Sequence, residues 1–285
     1  LGIAWGAVGH LNAVADTPEL RAAYTEQLAV VTEFFTRMGA DERLYAKYKA
    51  IKPASLNAEQ AKARENTLRG FVLGGAELQG EAKERFAAIQ ERQAELAQTF
   101  SEHVLDATDA WFLYSTKLEA AGLPDDVLQT AAELAQADAA KDGVSVDANS
   151  IKLSLKMPCY LPVMQFAHSS ALREQLYRAY VSRASDLGQK PDWDNSAVMN
   201  EILALRAEEA QLLGYANFAE LSLVPKMADA PEQVMQFLRD LAARARPYAE
   251  KDVADLRTFA AEELGIDQPQ AWDWPYIGEK LKEAR

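Results

Sequence analysis

From Thr17 to Met38 the apolar residues Leu20, Tyr24, Leu28, Val31, Phe35 and Met38 recur every three or four positions, the repeat of one stripe along a helix. Thr17 stands as its N-cap, Pro18 takes the first helical position, and Gly39 closes it. A second helix is predicted from Asn57, which has the spacing of a capping box with Gln60. Its stripe is Ala61, Glu65, Leu68 and Val72, and Gly74-Gly75 stops it. A third runs from about Glu81 to Leu105 on Phe86, Ile89, Gln93, Leu96, Phe100 and Val104. These steps resemble a heptad seam too short for a free coiled coil, so an antiparallel bundle is expected rather than a dimeric rod.

Between Ala110 and Phe166 the period changes. Trp111 to Tyr114 is a short apolar run suited to a strand, and GLPDD opens a helix that ends at Lys141-Asp142-Gly143. Ile151, Leu153 and Leu155 then alternate as in a half-buried strand, after a turn at Asp147 to Asn149. Pro158 and Pro162 are expected to end that strand or confine it to an edge.

From Ser169 the pattern is helical again. Leu172, Leu176, Tyr180 and Arg183 share one face. Val198, Ile202, Leu205 and Leu212 share a second, on a helix ended by Gly214. Val234, Phe237, Leu238, Leu241 and Ala245 share a third, which Pro231 opens and Pro247 is expected to kink or restart. No repeat of about 34 or 40 residues is present, which argues against a solenoid. The expected fold is mostly α: an N-terminal helical bundle over 1–108, a small mixed β/α segment over 109–168, and the beginning of a second helical lobe over 169–285.

The net charge of −13 argues against a nucleic-acid surface, which needs clustered cations. No uncharged apolar run of about 18 residues and no basic-then-apolar leader occurs, so no membrane segment is expected and a cytoplasmic location is the natural reading. The single cysteine, Cys159, excludes an internal disulfide framework and reads as a small apolar residue. The chain starts without Met and stops inside the helical EKLKEAR, so it reads as a fragment.

Candidate chemistry is sparse. The histidines are His10, His103 and His168, and none forms H-E-x-x-H, which sets two imidazoles on one helical face with a Glu between them. Glu102-His103 with Asp106 is the nearest approach to a ligand cluster; a capping or solvated His is the simpler reading, and His168 reads as a turn residue. No G-x-S-x-G, P-loop or G-x-G-x-x-G appears. Arg173, Arg178, Arg183 and Asp186 flank Tyr177 and Tyr180, ahead of Trp193-Asp194-Asn195, in which Asn195 is placed to cap the next helix. On that helix Arg206 and Glu209 have the spacing of a local ion pair. Ion pairing and tyrosine packing are expected of this group, ahead of substrate contact.

Ten short motifs in a fixed order carry a resemblance. They are His10-Leu11-Asn12 with TPELRAAY, FSEHVLDAT, AGLP, YLPVM, LREQLYRAYVSRASD, WDN, LLGYANFAE, KMADAP, and finally Trp272-Asp273 with Tyr276 and Glu279-Lys280. In them the chain resembles the thimet oligopeptidase and neurolysin family of zinc peptidases, most closely its bacterial oligopeptidase A branch. It departs at His103, where Asn is expected, and at Ile277-Gly278, where a second aromatic usually follows the tyrosine. The resemblance implies a mostly helical, two-lobed, cytosolic zinc endopeptidase acting on short unfolded peptides in a deep channel. It implies H-E-x-x-H plus a further Glu as zinc ligands, with the motif's Glu activating a zinc-bound water. None of those positions exists in this chain. It would supply channel wall and scaffold, bind no zinc itself, be inactive alone, and self-associate through apolar surface. Which residues meet substrate is left open. The alternative is a non-catalytic helical peptide-binding or scaffold protein of the same ancestry.

Overall fold

The computed structural model describes residues 1–285. In chain order the elements are α1 (Gly2–Val14), α2 (Pro18–Gly39), α3 (Glu42–Ala50), α4 (Ala58–Leu73), α5 (Glu81–Asp109), β1 (Phe112–Thr116) and α6 (Asp125–Asp142). There follow β2 (Ser150–Ser154), α7 (Met157–Phe166), α8 (Ser170–Val181), α9 (Ser196–Leu212), α10 (Phe218–Leu223), α11 (Pro231–Leu264) and α12 (Trp274–Ala284). The fold is mostly α with one small antiparallel sheet, as the patterning predicts. By packing, unit 1 comprises Leu1–Phe100 and Ala197–Phe237, and unit 2 comprises Ser101–Ser196 and Leu238–Arg285.

In unit 1 the predicted caps form. The Thr17 hydroxyl accepts from the Leu20 N–H at 3.2 Å. Asn57 and Gln60 exchange side-chain and backbone bonds at 2.8 and 3.1 Å. The helix stripes are only partly as read. Val31 of α2 is buried, but Phe35 and Met38 beyond it are exposed. On α4 the inward residue is Phe71, and Glu65 instead pairs with Lys62 on the outside at 2.7 Å. Phe71 is covered by Tyr45 and Tyr48 of α3, each at 5.7 Å between ring centroids. The patterning does not reveal α3, because Lys47 and Lys49 interrupt its short apolar face; its start is set by Asp41, which accepts from the N–H groups of Arg43 and Leu44.

Helices α5 and α9 run antiparallel within unit 1. Ile89 and Leu96 pack with Leu205, and Val198, Ile202 and Leu212 close around them. Arg85 pairs with Glu208 and Arg92 with Glu201, each at 2.6 Å, so rising numbers on one helix meet falling numbers on the other. These exposed pairs add little stability, but they fix the register. The expected Arg206–Glu209 pair is not what forms. Glu209 accepts from Gln90 and Gln93 at 2.9 and 2.8 Å, and Arg206 lies over the Phe218 ring at 4.9 Å. Longer-range partners displace the weak local pair.

In unit 2, β1 pairs with β2 from Phe112↔Ser154 to Thr116↔Ser150. Ile151 and Leu153 are fully buried in a core with Ala131, Val163, Leu172 and Leu176. Contrary to the half-buried reading, the opposite face is covered too. Lys152 is only 7% exposed, with Nζ 2.5 Å from both Asp138 and Asp142 and lying over the Phe112 ring at 4.5 Å. Pro158 and Pro162 both sit in α7, which follows after β2 has ended at Ser154. Pro158 occupies the first turn, where its missing N–H costs nothing; at Pro162 one helical bond is given up while Val163 and Met164 are buried. Pro247 likewise lies inside an α11 that continues past it.

The Lys152 cluster gives a pH prediction. Burial alone would lower the Lys152 ammonium, but its bonds to Asp138 and Asp142 outweigh that and hold its pKa above the ordinary value. The hydrogen bond from Lys152 holds the Asp142 carboxyl below the usual carboxylate range, against the opposing effect of burial. A depressed carboxylate stabilises the fold above its unfolded pKa and loses that contribution as pH falls through the folded one. Lys152→Met is therefore expected to destabilise most at neutral pH, and its deficit should shrink below about pH 4. Urea midpoints of both proteins at pH 7 and about pH 3.5 check this.

Candidate functional site

The motif-bearing residues that the sequence sets apart converge in unit 2 around α7, α8 and α12. Ser169 caps α8 by accepting from the Leu172 N–H at 3.2 Å, which fixes the direction of Arg173, Tyr177 and Tyr180. Tyr160 of α7 stacks on Tyr180 at 4.0 Å, and the Arg183 guanidinium lies over the same Tyr180 ring at 3.6 Å. Arg183 also donates to the Tyr180 carbonyl at 2.9 Å and to the Thr108 hydroxyl at 2.7 Å. Burial, followed by the neighbouring Tyr180 and Tyr177, pushes the Tyr160 phenol up, so it stays protonated and apolar in its stack.

Arg173 is the deepest charge in the chain, 1% exposed. Its Nη2 donates to Asp273 at 2.6 Å, while Nη1 donates to the Ala167 carbonyl at 2.5 Å and the His168 carbonyl at 3.2 Å. Its guanidinium packs over the Tyr276 ring at 4.2 Å. Asp273 also accepts from the Ser170 hydroxyl at 2.8 Å and the Gln270 N–H at 2.9 Å, and the Trp272 indole N–H donates to that same Ser170 hydroxyl at 3.0 Å. The arrangement ties the start of α8 to the start of α12. Arg178 bonds Glu174 at 2.7 Å and lies 5.1 Å from the Trp272 ring, with Tyr177 on the same ring at 6.1 Å. This leaves a half-exposed aromatic and cationic surface. Asp186 is exposed beyond it.

The histidine candidates are occupied structurally. His103 Nδ1 meets Asn195 Oδ1 at 2.8 Å, joining α5 to the residue ahead of α9, and Asn195 is 1% exposed. Just ahead of α9, Asp194 accepts from the Ser196 N–H and hydroxyl at 2.9 and 2.7 Å. Those two bonds, aided by nearby His103, hold the Asp194 carboxyl below the usual range. His168 packs edge-on against Tyr276 at 6.3 Å, and its N–H donates to the Ala121 carbonyl at 2.8 Å. His10 lies in α1. No three His, Cys, Asp or Glu side chains among the described residues converge as a ligand set.

Cys159 borders a cavity of about 350 Å³ with Val127, Ala131, Leu134 and Pro158. Burial pushes its thiol up, only partly offset by the Ser154 N–H that its sulfur accepts at 3.3 Å. A thiol raised in this way is a poor nucleophile at neutral pH. The groups described are thus held by internal partners, and the arrangement suits a rigid wall better than a reacting centre.

Asp273, the partner of Arg173 from one hundred residues away, is not marked out as such by the sequence. The available signal was the Trp272-Asp273 motif, which had no assigned role. Nor does the sequence mark out Gly122, at φ +99°, which passes against the Phe166 carbonyl and the His168 ring.

Comparison with known proteins gives two family matches. The profile of peptidase family M3 matches residues 163–285, and that of the neurolysin/thimet oligopeptidase N-terminal domain matches residues 1–83. Oligopeptidase A of Escherichia coli K12 is 46% identical over 289 residues, covering 99% of this chain and 41% of that protein. A probable cytosolic oligopeptidase A of Arabidopsis thaliana is 37% identical over 292 residues, covering 100% and 41%. The dipeptidyl carboxypeptidase of E. coli K12 is 24% identical over 281 residues, covering 96% and 40%. The chain thus spans about two fifths of the length of these curated relatives.

Proposed function

From a chain that belongs to the thimet oligopeptidase and neurolysin family, peptidase family M3, we propose that these residues form the non-catalytic part of a zinc-dependent endopeptidase that cuts short unfolded peptides in the cytoplasm. Zinc, when bound, would polarise the scissile carbonyl and lower the pKa of an attacking water. The residues present do not fit that metal. His103 is engaged by Asn195, His168 lies against Tyr276, and no third ligand joins either. We assign no catalytic step to them and propose that the ligands come from other residues of the peptidase.

What these residues do is hold shape. The observation that carries the reading is the engagement of the family motifs with one another: Tyr160 with Tyr180 and Arg183, and Arg173 with Asp273 and Tyr276. A channel wall must resist the pull of a bound peptide, and groups packed and bonded to one another in this way do that. The half-exposed Tyr177, Arg178 and Trp272 are the part of the wall we assign to peptide contact, since aromatic faces and a guanidinium accept an extended backbone without regard to its sequence. We also propose that the 285-residue chain self-associates through exposed apolar surface.

No helix is long and apolar enough to cross a membrane. The coding sequence beyond Arg285 separates the two readings of function. A reading frame that continues into H-E-x-x-H supports the peptidase, and a stop codon there supports a non-catalytic scaffold of the same ancestry.

A further inference from the structure

The cavity beside Cys159 is walled by α6, the end of β2 and the start of α7, all within unit 2. Val127, Ala131 and Leu134 follow one another along α6 at spacings of four and three residues, the repeat of one helical stripe. Ala131 is buried and Leu134 is open to solvent, so this stripe supplies both the floor and the rim. Pro158 and Cys159 of α7 line the same space of about 350 Å³. Burial keeps the Cys159 thiol protonated, so it adds a soft, neutral surface to an apolar slot. An engineered cavity of about 150 Å³ admits benzene, so this one has room for a bulky side chain and a small head group. The residues of its wall lie between 83 and 163, outside both family matches.

Three charged residues border the slot, Asp126, Lys152 and Lys156. The Lys152 ammonium is committed, 2.5 Å from both Asp138 and Asp142. The other two stand where helices begin. Asp126 is exposed in the first turn of α6, and its carboxylate enters no ion pair. Lys156 immediately precedes α7, with its ammonium 3.1 Å from Asp109 in an exposed pair. Pairs of that kind hold weakly, so Lys156 is free to turn to a bound carboxylate. No side chain caps the N-terminus of α7, and its dipole favours an anion at the same place. An apolar slot bordered by one free anion and one available cation matches a ligand that carries ammonium, carboxylate and a bulky apolar group together.

We propose that this cavity binds a free α-amino acid with a bulky apolar side chain. The ammonium meets Asp126, the carboxylate meets Lys156, and the side chain enters the slot against Val127, Ala131, Leu134 and Cys159. The site is separate from the surface of Tyr177, Arg178 and Trp272, and it stands whether or not the chain is part of a peptidase.

The test uses the full 285-residue chain and L-phenylalanine as the probe. Cys159 is the only cysteine, so its rate of alkylation by iodoacetamide reports whether the slot is filled. L-phenylalanine is expected to slow alkylation saturably. Glycine, which lacks the side chain, and N-acetyl-phenylalanine amide, which lacks both charges, should not do so at the same concentration. Asp126→Asn and Lys156→Gln, both at exposed positions, should each raise the half-saturating concentration about 10-fold, the effect of one lost charge contact. Glu133→Gln, exposed on α6 outside the slot, should leave it unchanged. Equal protection by the uncharged analogue, or charge variants that respond as the parent does, overturns the assignment of an amino acid. Absence of saturable protection by either L-phenylalanine or L-leucine overturns the site itself. So does loss of that protection in a polypeptide extended to the full length of the family, since other residues would then fill the slot.

Discussion

Arg173→Ala is expected to destabilise unit 2 by about 3–5 kcal/mol, the cost of removing one partner from a buried ion pair. The loss is large because of what remains. Asp273 would be left at 3% exposure with only the Ser170 hydroxyl and Gln270 N–H as donors, and the carbonyls of Ala167 and His168 would lose theirs. Against a typical total stability of about 5–15 kcal/mol, that is enough to populate a partly unfolded unit 2. The pair itself is not optimal, since Arg173 Nε is buried without a partner. Arg173→Met combined with Asp273→Leu, which removes both charges at similar volume, should therefore recover most of the loss. Urea midpoints for the single and double variants check this; a double variant that costs the sum of its singles would show that the two residues do not act as a pair.

Gly122→Ala is the second large effect, expected at about 2–5 kcal/mol. Gly122 has φ +99°, a conformation that costs an L-residue about 1–2 kcal/mol. An added Cβ would also overlap the Phe166 carbonyl oxygen and the His168 ring, and overpacking of this kind costs about 1–3 kcal/mol. The carbonyl cannot move freely, because the same turn is pinned by the His168 N–H on the Ala121 carbonyl at 2.8 Å. Gly143→Ala is the control: it too has positive φ, +69°, but its Cβ would meet nothing within 4 Å, so only the conformational cost of about 1 kcal/mol is expected. Thermal or urea unfolding of the two variants should separate them clearly.

What was legible in the sequence is what local chemistry decides. Thr17 and Asn57 begin helices because their side chains reach the N–H groups three residues on, and that spacing is written in the chain. Ile151 and Leu153 are buried, and on α9 Leu205 is buried with Val198, Ile202 and Leu212 partly covered, as their periods require. The misreadings share a cause in long-range partners. Glu65 on the supposed inner stripe of α4 is outside because Phe71 finds Tyr45 and Tyr48, and Glu209 leaves Arg206 for Gln90 and Gln93. Lys152 looks like a solvent-facing strand residue until Asp138 and Asp142 of α6 are placed over it. The same holds at the site. Tyr177, Tyr180, Arg173 and Arg183 were singled out from their composition, but only the fold shows that Asp273 and Tyr276 complete their framework. His103, weighed as a metal ligand, is explained by Asn195, ninety-two positions away.

The proposed role, a peptidase's framework with the catalyst lying in other residues, is open to a direct test. The most direct measurement is hydrolysis of a fluorescence-quenched oligopeptide, with zinc supplied and its binding followed by equilibrium dialysis, for the 285-residue chain beside a full-length polypeptide of the family. Turnover is expected of the full-length protein, and neither turnover nor a stoichiometric, tightly held zinc of the 285-residue chain. Stoichiometric zinc with peptide turnover by the 285-residue chain alone would contradict it.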